Sequence, residues 1–539
     1  MLNLKKAFAF LALIVFAFTF TGCSAELKNS GSSTSISIFG AKETLKIASG
    51  SENQELEGIL KDFTQKNNIN IEITYKGSLD IMSELQNEST DYDAVWPANS
   101  LWINMGDSKL HRVKDVKSTS LTPVVFGIKK SIAEKLGFVG KQVSVKDILT
   151  AIQNKQLTFC MTSATQSNSG ASAYIGFLYA LLGNPGIITA QDLDNQELKD
   201  QLRSILSGVN RSSGSSDWLK SLFLSSDYDA MVNYESLIIS TNEQLVSQGK
   251  EPLYIVYPYD GLTIADSPLG YVNKNNSSKE DAFKKLQDYL LSPEIQDKIQ
   301  HSGRRTGFSG INDNNKDVFK AEWGVDTKKI LSPIKMPAPE VITKALNMYQ
   351  TELKKPSINI YCLDYSGSMS GDGVSQLTSA MQQILIQENA SQYLLQATKD
   401  EINIVIPFND SIINTFNTTG NAPSDLSKLF NQMSGERPGG STDIYSPAIK
   451  GLELLKNYDL TKYQPAIILM TDGQSNKGKG FNDFKNEYEK AKLDVPVFSI
   501  MFGDASSDQL NQIADLTHAR VFDGRKNLIA AFKSVRGYN

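Results

Sequence analysis

The chain has 539 residues, with 54 Lys plus Arg against 59 Asp plus Glu and a formal net charge of −5. That balance lacks the basic footprint of a nucleic-acid binder, and 40% apolar with 21% charged residues excludes global disorder and supplies material for several cores. Cys23, Cys160 and Cys362 are too few for a disulfide-dense scaffold, and His111, His301 and His518 stand far apart in sequence, so any metal site is expected to use oxygen ligands rather than a Cys/His set.

Lys5-Lys6 forms a short positive n-region, followed by Ala7 to Phe20, an apolar run broken only by Thr19. That length fits the hydrophobic region of a signal peptide and is short for a membrane span. Phe20-Thr21-Gly22-Cys23 follows and resembles the lipobox of bacterial lipoproteins, with Phe20 where Leu is commonest. The resemblance implies a signal peptide over 1–22, cleavage before Cys23, and diacylation of Cys23. Two or more acyl chains suffice for stable anchoring. The expected location is the extracellular face of the bacterial cytoplasmic membrane. Residues 23–43 then hold the lipidated cysteine and a Ser-, Gly-, Asn- and Thr-rich flexible tether.

From residue 44 strands and helices alternate. Leu45–Ala48 reads as a strand, Gln54–Lys66 as a helix, Ile69–Tyr75 as a half-buried strand of period two, and Asp93–Trp96 as another short strand. Strands separated by helical stretches predict an α/β fold with parallel sheets. Pro339–Leu353 reads as a helix that Pro356 ends. Ser- and Gly-rich loops punctuate the region: Ser49-Gly50-Ser51 after the first strand, Gly77-Ser78 after the second, Thr162 to Gly170 before an apolar helix, and Asn233-Tyr234 after another strand. The pattern over about 44–350 resembles type II extracellular solute-binding proteins of ABC importers.

That resemblance implies a two-lobed domain over 44–353, with lobe one at 44–122 plus 260–350, lobe two at 123–259, and a ligand in the cleft between them. Free backbone N–H groups at helix N-termini suit a small polar or anionic solute. Ser49, Ser51, Ser78, Ser163, Ser167, Asn168, Ser169 and Tyr234 are the candidate ligand residues. Arg304 and Arg305 read as structural salt-bridge formers, and Trp96, Trp102, Trp218 and Trp323 as core.

A second α/β series starts at Ser357. Its strands are expected at 357–363, 402–408, 496–502 and 519–523, with the strand Ile467–Met470 between. Its helices are expected near 374–398, 445–456, 482–493 and 527–535. Asp364-Tyr365-Ser366-Gly367-Ser368 follows the first strand, Gly439-Gly440-Ser441-Thr442-Asp443 lies in a later loop, and Thr471-Asp472-Gly473 ends a buried-type strand. Loops at the carboxyl ends of strands line the crevice of an open α/β sheet, so the three segments can meet. Asp364, Ser366, Ser368, Thr442 and Asp472 are all oxygen donors, two of them charged, and suit a hard divalent cation.

These residues resemble the metal-ion-dependent adhesion site of von Willebrand factor A domains, with all five positions present in order. The resemblance implies a doubly wound, Rossmann-like domain over 357–539. Mg²⁺ is the expected ion, with Mn²⁺ and Ca²⁺ as alternatives, and the ion is expected to bind a carboxylate of a protein partner. The combined expectation is a lipid-anchored cell-surface binding protein with a solute-binding-like domain. The alternative is a substrate-binding receptor of an ABC importer with an accessory adhesion module. Catalysis is not expected: no His or free Glu accompanies the metal motif as a base.

Overall fold

The structure is a computed structural model that describes residues 33–307, 310–327, 333–503, 505–525 and 528–537. The expected signal peptide 1–22, the expected lipidation site Cys23 and the expected tether as far as residue 32 lie outside the described residues.

The chain opens with β1 (Ser33–Ile36), β2 (Glu43–Gly50), α1 (Glu57–Asn67), β3 (Ile69–Lys76), α2 (Ser78–Gln86), β4 (Ala94–Trp96), α3 (Ser100–Gly106) and β5 (Val113–Ser118). It then builds β6 (Thr122–Lys129), α4 (Lys130–Lys135), α5 (Val145–Gln153), β7 (Phe159–Thr162), α6 (Asn168–Leu181), α7 (Gln196–Ser207), β8 (Val209–Ser213), α8 (Ser216–Ser225), β9 (Ala230–Tyr234), α9 (Glu235–Ser247), β10 (Leu253–Val256) and β11 (Ile264–Ala265). The return run is β12 (Pro268–Val272), α10 (Ser277–Leu291), α11 (Pro293–His301) and α12 (Pro339–Met348). The first sheet has the order β1-β3-β2-β4-β12-β5, and the second has β10-β6-β9-β7-β8 with β11 on β6. Each sheet is the centre of one lobe.

Period two does what it predicts in β3: Ile69, Ile71, Ile73 and Tyr75 are buried while Glu72 between them is exposed. α5 starts at a reciprocal cap, in which Ser144 and Asp147 each satisfy the other's backbone N–H. The lobes connect through strands that cross together. Thr119 N–H donates to the Ser267 carbonyl, and Leu121 and Arg305 exchange backbone hydrogen bonds.

Three expectations need correction. Residues 33–36 are not tether: they form β1, antiparallel to β3, and bury Ile36. The return at 260 is too early, because Ile264 and Ala265 still pair with Pro123 and Thr122 of β6. α12, expected in lobe one, packs Val341, Ile342, Ala345 and Leu346 into the apolar cluster of lobe two, where Tyr174 donates to the Ala345 carbonyl at 3.0 Å.

The second unit follows: β13 (Ser357–Asp364), α13 (Asp372–Leu385), α14 (Gln387–Ser391), β14 (Ile402–Phe408), β15 (Phe416–Thr419), α15 (Pro423–Ser434), α16 (Tyr445–Leu455), β16 (Gln464–Thr471), α17 (Phe481–Ala491), β17 (Val497–Met501), α18 (Ser507–Leu516), β18 (Val521–Asp523) and α19 (Leu528–Gly537). The helix expected at 374–398 is two shorter ones, because Ile386 is extended. The sheet order is β15-β14-β13-β16-β17-β18, with β15 antiparallel and the rest parallel. This is a doubly wound order that reverses between β13 and β16, where ligands of such sheets bind. β13 is buried along its whole length, as a central parallel strand must be.

Candidate functional site

The reversal of strand order brings the ends of β13 and β16 side by side. Asp364 ends β13 and is fully buried. Its Oδ2 accepts from Thr471 Oγ1 at 2.6 Å and its Oδ1 from the Ser366 backbone N–H at 2.8 Å. Ser366 Oγ lies 3.1 Å from Ser368 Oγ, and Ser368 Oγ donates to Asp472 Oδ1 at 2.8 Å. A Cβ placed on Gly473 would lie 3.5 Å from Ser368 Oγ and 3.6 Å from Thr442 Oγ1, so Thr442 faces the same point. Ser368 is exposed and Asp472 half-buried, so the cluster opens to solvent on that side. All five oxygen-bearing residues singled out in the sequence therefore gather at one strand-end crevice.

Burial pushes the Asp364 carboxyl above the usual carboxylate range, and the negative Asp472 adds to the push. Two facing carboxylates with three neutral hydroxyls form a donor set that fits a hard cation. Among the described residues no group of three or more His, Cys, Asp or Glu side chains is placed to hold a metal ion, so this set depends on its hydroxyls.

The loops are held by residues that the sequence reading did not single out. Gly440, at φ +80°, turns so that its carbonyl accepts from Gly367 N–H at 3.0 Å. Asn476 Oδ1 accepts from Thr442 N–H at 3.2 Å. Asp443, beside Thr442, caps α16: its Oδ1 accepts from Tyr445 and Ser446 N–H. Thr471 could have been suspected as a hydroxyl at a strand end, but nothing in the sequence says that it turns toward Asp364.

In the other unit, the candidate ligand residues are all buried, and Asn168 makes a bond across the seam between the lobes. On lobe two, Ser169 Oγ lies 2.8 Å from both Thr162 Oγ1 and Ser216 Oγ, Ser167 Oγ lies 3.2 Å from Ser216 Oγ, and Ser163 Oγ lies 3.0 Å from Thr165 Oγ1. Asn168 donates to Tyr234 Oη at 3.0 Å and accepts from Trp102 Nε1 of lobe one at 2.7 Å. On lobe one, Ser49 Oγ accepts from Asn53 Nδ2, and Ser78 Oγ accepts from Ala98 N–H. Ser51 follows Ser49 into the turn that leads to α1. The lobes are closed on one another. Lys220 of α8 reaches Glu55 of lobe one at 3.2 Å, and a Cβ on Gly77 would strike the Gln166 carbonyl oxygen at 2.2 Å.

Glu52, unremarked in the sequence, is buried beside this seam. Burial pushes its carboxyl up to about 7, opposed by Arg304 and reinforced by Asp217 and Glu55. Arg305 makes the expected ion pair, two bonds of 2.7 Å to Glu235. Arg304 instead donates to Asn53 Oδ1 at 2.9 Å and to the Glu52 carbonyl. All four tryptophans are buried.

Residues 45–305 match the family model of bacterial extracellular solute-binding proteins, and residues 360–528 match that of the von Willebrand factor type A domain. No curated protein matches the chain. Among solved structures, the periplasmic binding protein P5PA is 15% identical over 58% of this chain and 100% of that one, at a TM-score of 0.43. Maltose-bound MalE3 of T. maritima is 15% identical over 57% and 93%, at 0.41. The ferric binding protein of Campylobacter jejuni is 16% identical over 57% and 98%, at 0.40. Over these two stretches the chain is similar to a bacterial extracellular solute-binding domain followed by a von Willebrand factor type A domain.

Proposed function

We propose that this protein is a lipid-anchored cell-surface binding protein whose C-terminal domain binds a protein partner through a divalent ion. The observation that carries the reading is the gathering of Asp364, Ser366, Ser368, Thr442 and Asp472 at the switch point of the third sheet. Asp364 and Asp472 would supply charge, and the three hydroxyls neutral donors. Mg²⁺ suits such an oxygen shell best, with Mn²⁺ and Ca²⁺ as the other candidates. When bound, the ion supplies an electrophilic centre for a partner's Asp or Glu carboxylate. Thr471 and the Ser366 N–H hold the Asp364 carboxylate in place, and Asn476 holds the Thr442 loop. The N-terminal domain would enclose a small polar or anionic solute among Ser49, Ser51, Ser78, Ser163, Ser167, Asn168, Ser169 and Tyr234. Cys23 would carry the lipid, placing both domains on the extracellular face of the membrane.

The test is thermal melting of the full chain carrying Cys23→Ser, in EDTA and with each of Mg²⁺, Mn²⁺ and Ca²⁺. An ion at 100 times its dissociation constant adds about 2.7 kcal/mol to the folded state. The expected result is a rise in melting temperature that Asp364→Ala with Ser366→Ala abolishes. Equal melting in EDTA and in all three ions overturns the metal reading.

The match of residues 45–305 to solute-binding proteins favours one second reading, a receptor for an ABC importer with the adhesion module as an accessory. Loss of uptake of one solute on deletion of the protein supports it, and unchanged uptake across a solute panel opposes it.

A further inference from the structure

α19 packs against β17, β18 and α13 of the C-terminal unit, yet it lies across the seam between the two lobes of the other domain. Its attachment to its own domain is firm. Arg536 is buried and donates to Glu401 Oε1 at 2.8 Å, with both side chains almost fully enclosed. The helix therefore moves with its sheet.

Toward lobe two, Gln166 Nε2 donates to the Lys533 carbonyl, Ser212 Oγ donates to the Gly537 carbonyl at 3.4 Å, and Gly537 packs so closely on Gln166 that a Cβ there would overlap its side-chain amide. Toward lobe one, Lys533 Nζ pairs with Asp80 Oδ1 of α2 at 2.7 Å. The same Gln166 whose side chain meets α19 presents its backbone carbonyl to Gly77 of lobe one. One residue thus touches the helix and the opposite lobe together.

The contacts are unequal. The rest of the domain is fixed to lobe two: Arg211 Nη1 donates to Asp494 at 2.8 Å, Tyr228 donates to the same carboxylate at 2.8 Å, and Arg520 stacks over Trp218 at 5.8 Å. Toward lobe one, the ion pair among the described residues is that of Lys533 with Asp80.

We propose that α19 is an intramolecular strap: seated on lobe two, it grips Asp80 of lobe one through Lys533 and holds the solute cleft closed. Opening the cleft carries Asp80 away from Lys533, so opening and release of the strap are one event. The Trp102–Asn168 and Lys220–Glu55 contacts remain across the seam, so the strap biases a two-state equilibrium rather than setting it alone. The inference depends neither on a bound ion nor on a known solute.

The test is a pulsed dipolar distance measurement on the full chain carrying Cys23→Ser, spin-labelled at Gln86→Cys in α2 and Glu243→Cys in α9. Both positions are exposed, and Cys160 and Cys362 are buried. A half-exposed ion pair turned into a repulsion lowers the closed-to-open ratio roughly two- to ten-fold. The expected result is that Lys533→Glu, and to a smaller degree Lys533→Met, shifts the distribution toward the open distance. The swap Asp80→Lys with Lys533→Glu should restore it. A distribution unchanged in both single variants, or a shift that the swap does not reverse, overturns the strap.

Discussion

Glu52 is a carboxyl with nowhere to put its charge. It is buried, its Oε1 has no hydrogen-bond partner, and burial lifts it from 4.5 to about 7. The folded protein therefore holds this proton more tightly than the unfolded chain does. The stability it confers is complete below about pH 4.5 and is lost as pH rises through about 7. A rise from 4.5 to about 7 corresponds to about 3 kcal/mol. Glu52→Gln keeps the shape and removes the titration. It should match the wild type near pH 4 and exceed it by about that amount at pH 8, read by urea unfolding across the range. Parallel pH profiles for the two proteins would show that the carboxyl is solvated in the fold. The same residue bears on the cleft: burial pushes the Tyr234 hydroxyl up and the Glu52 charge adds to the push, and once ionised Glu52 opposes an anionic solute. A dyad of the other kind sits at Asp364 and Asp472, where the facing charges favour a cation.

At the scale of elements, α19 is the segment whose anchoring matters most. Arg536 is enclosed with Glu401, which also accepts from Asn359 Nδ2 at 2.9 Å. Removing one partner of a buried pair leaves the other charge uncompensated and costs about 3–5 kcal/mol. Glu401→Ala should lower the stability of the C-terminal domain by that amount and strip hydrogen-exchange protection from 528–537 first. Protection there equal to the wild type would mean that α19 is held by its apolar face alone. The sequence patterns find most elements because burial imposes a period. β3 alternates, β13 and β16 carry the apolar runs Ile360–Leu363 and Ala466–Met470, and the Asp-x-Ser-x-Ser segment sits where a strand must stop. β1 escapes notice because Ser33, Thr34 and Ser35 carry no apolar period and only Ile36 reaches the core. The break at Ile386 escapes because an apolar residue at a helix end looks like one within a helix. The partners of Gln166 and Asp80 escape entirely. They lie 367 and 453 residues away on α19, and no local pattern encodes a contact between domains.

At the scale of the molecule, the two domains are not independent bodies on a linker. One continuous apolar cluster runs from Trp218, Leu222 and Phe223 of lobe two into the strands of the third sheet. Asp494 locks its polar edge by accepting from both Arg211 and Tyr228. Arg211 also donates to the His518 carbonyl at 3.0 Å. A free energy delivered to one side of such an interface is felt on the other, because unfolding either side exposes the shared cluster. An ion bound at Asp364 and Asp472 at 100 times its dissociation constant stabilises the folded state by about 2.7 kcal/mol, and lobe two should share in it. Hydrogen exchange with and without Mg²⁺ should then show slower exchange in α8 and α9 as well as in β13 and β16. Asp494→Ala leaves the Arg211 guanidinium buried without its carboxylate, a cost of about 1–3 kcal/mol, and should confine the Mg²⁺ effect to the C-terminal domain. If the wild type already confines it there, the interface does not transmit stability, and the lobes and the third sheet open separately.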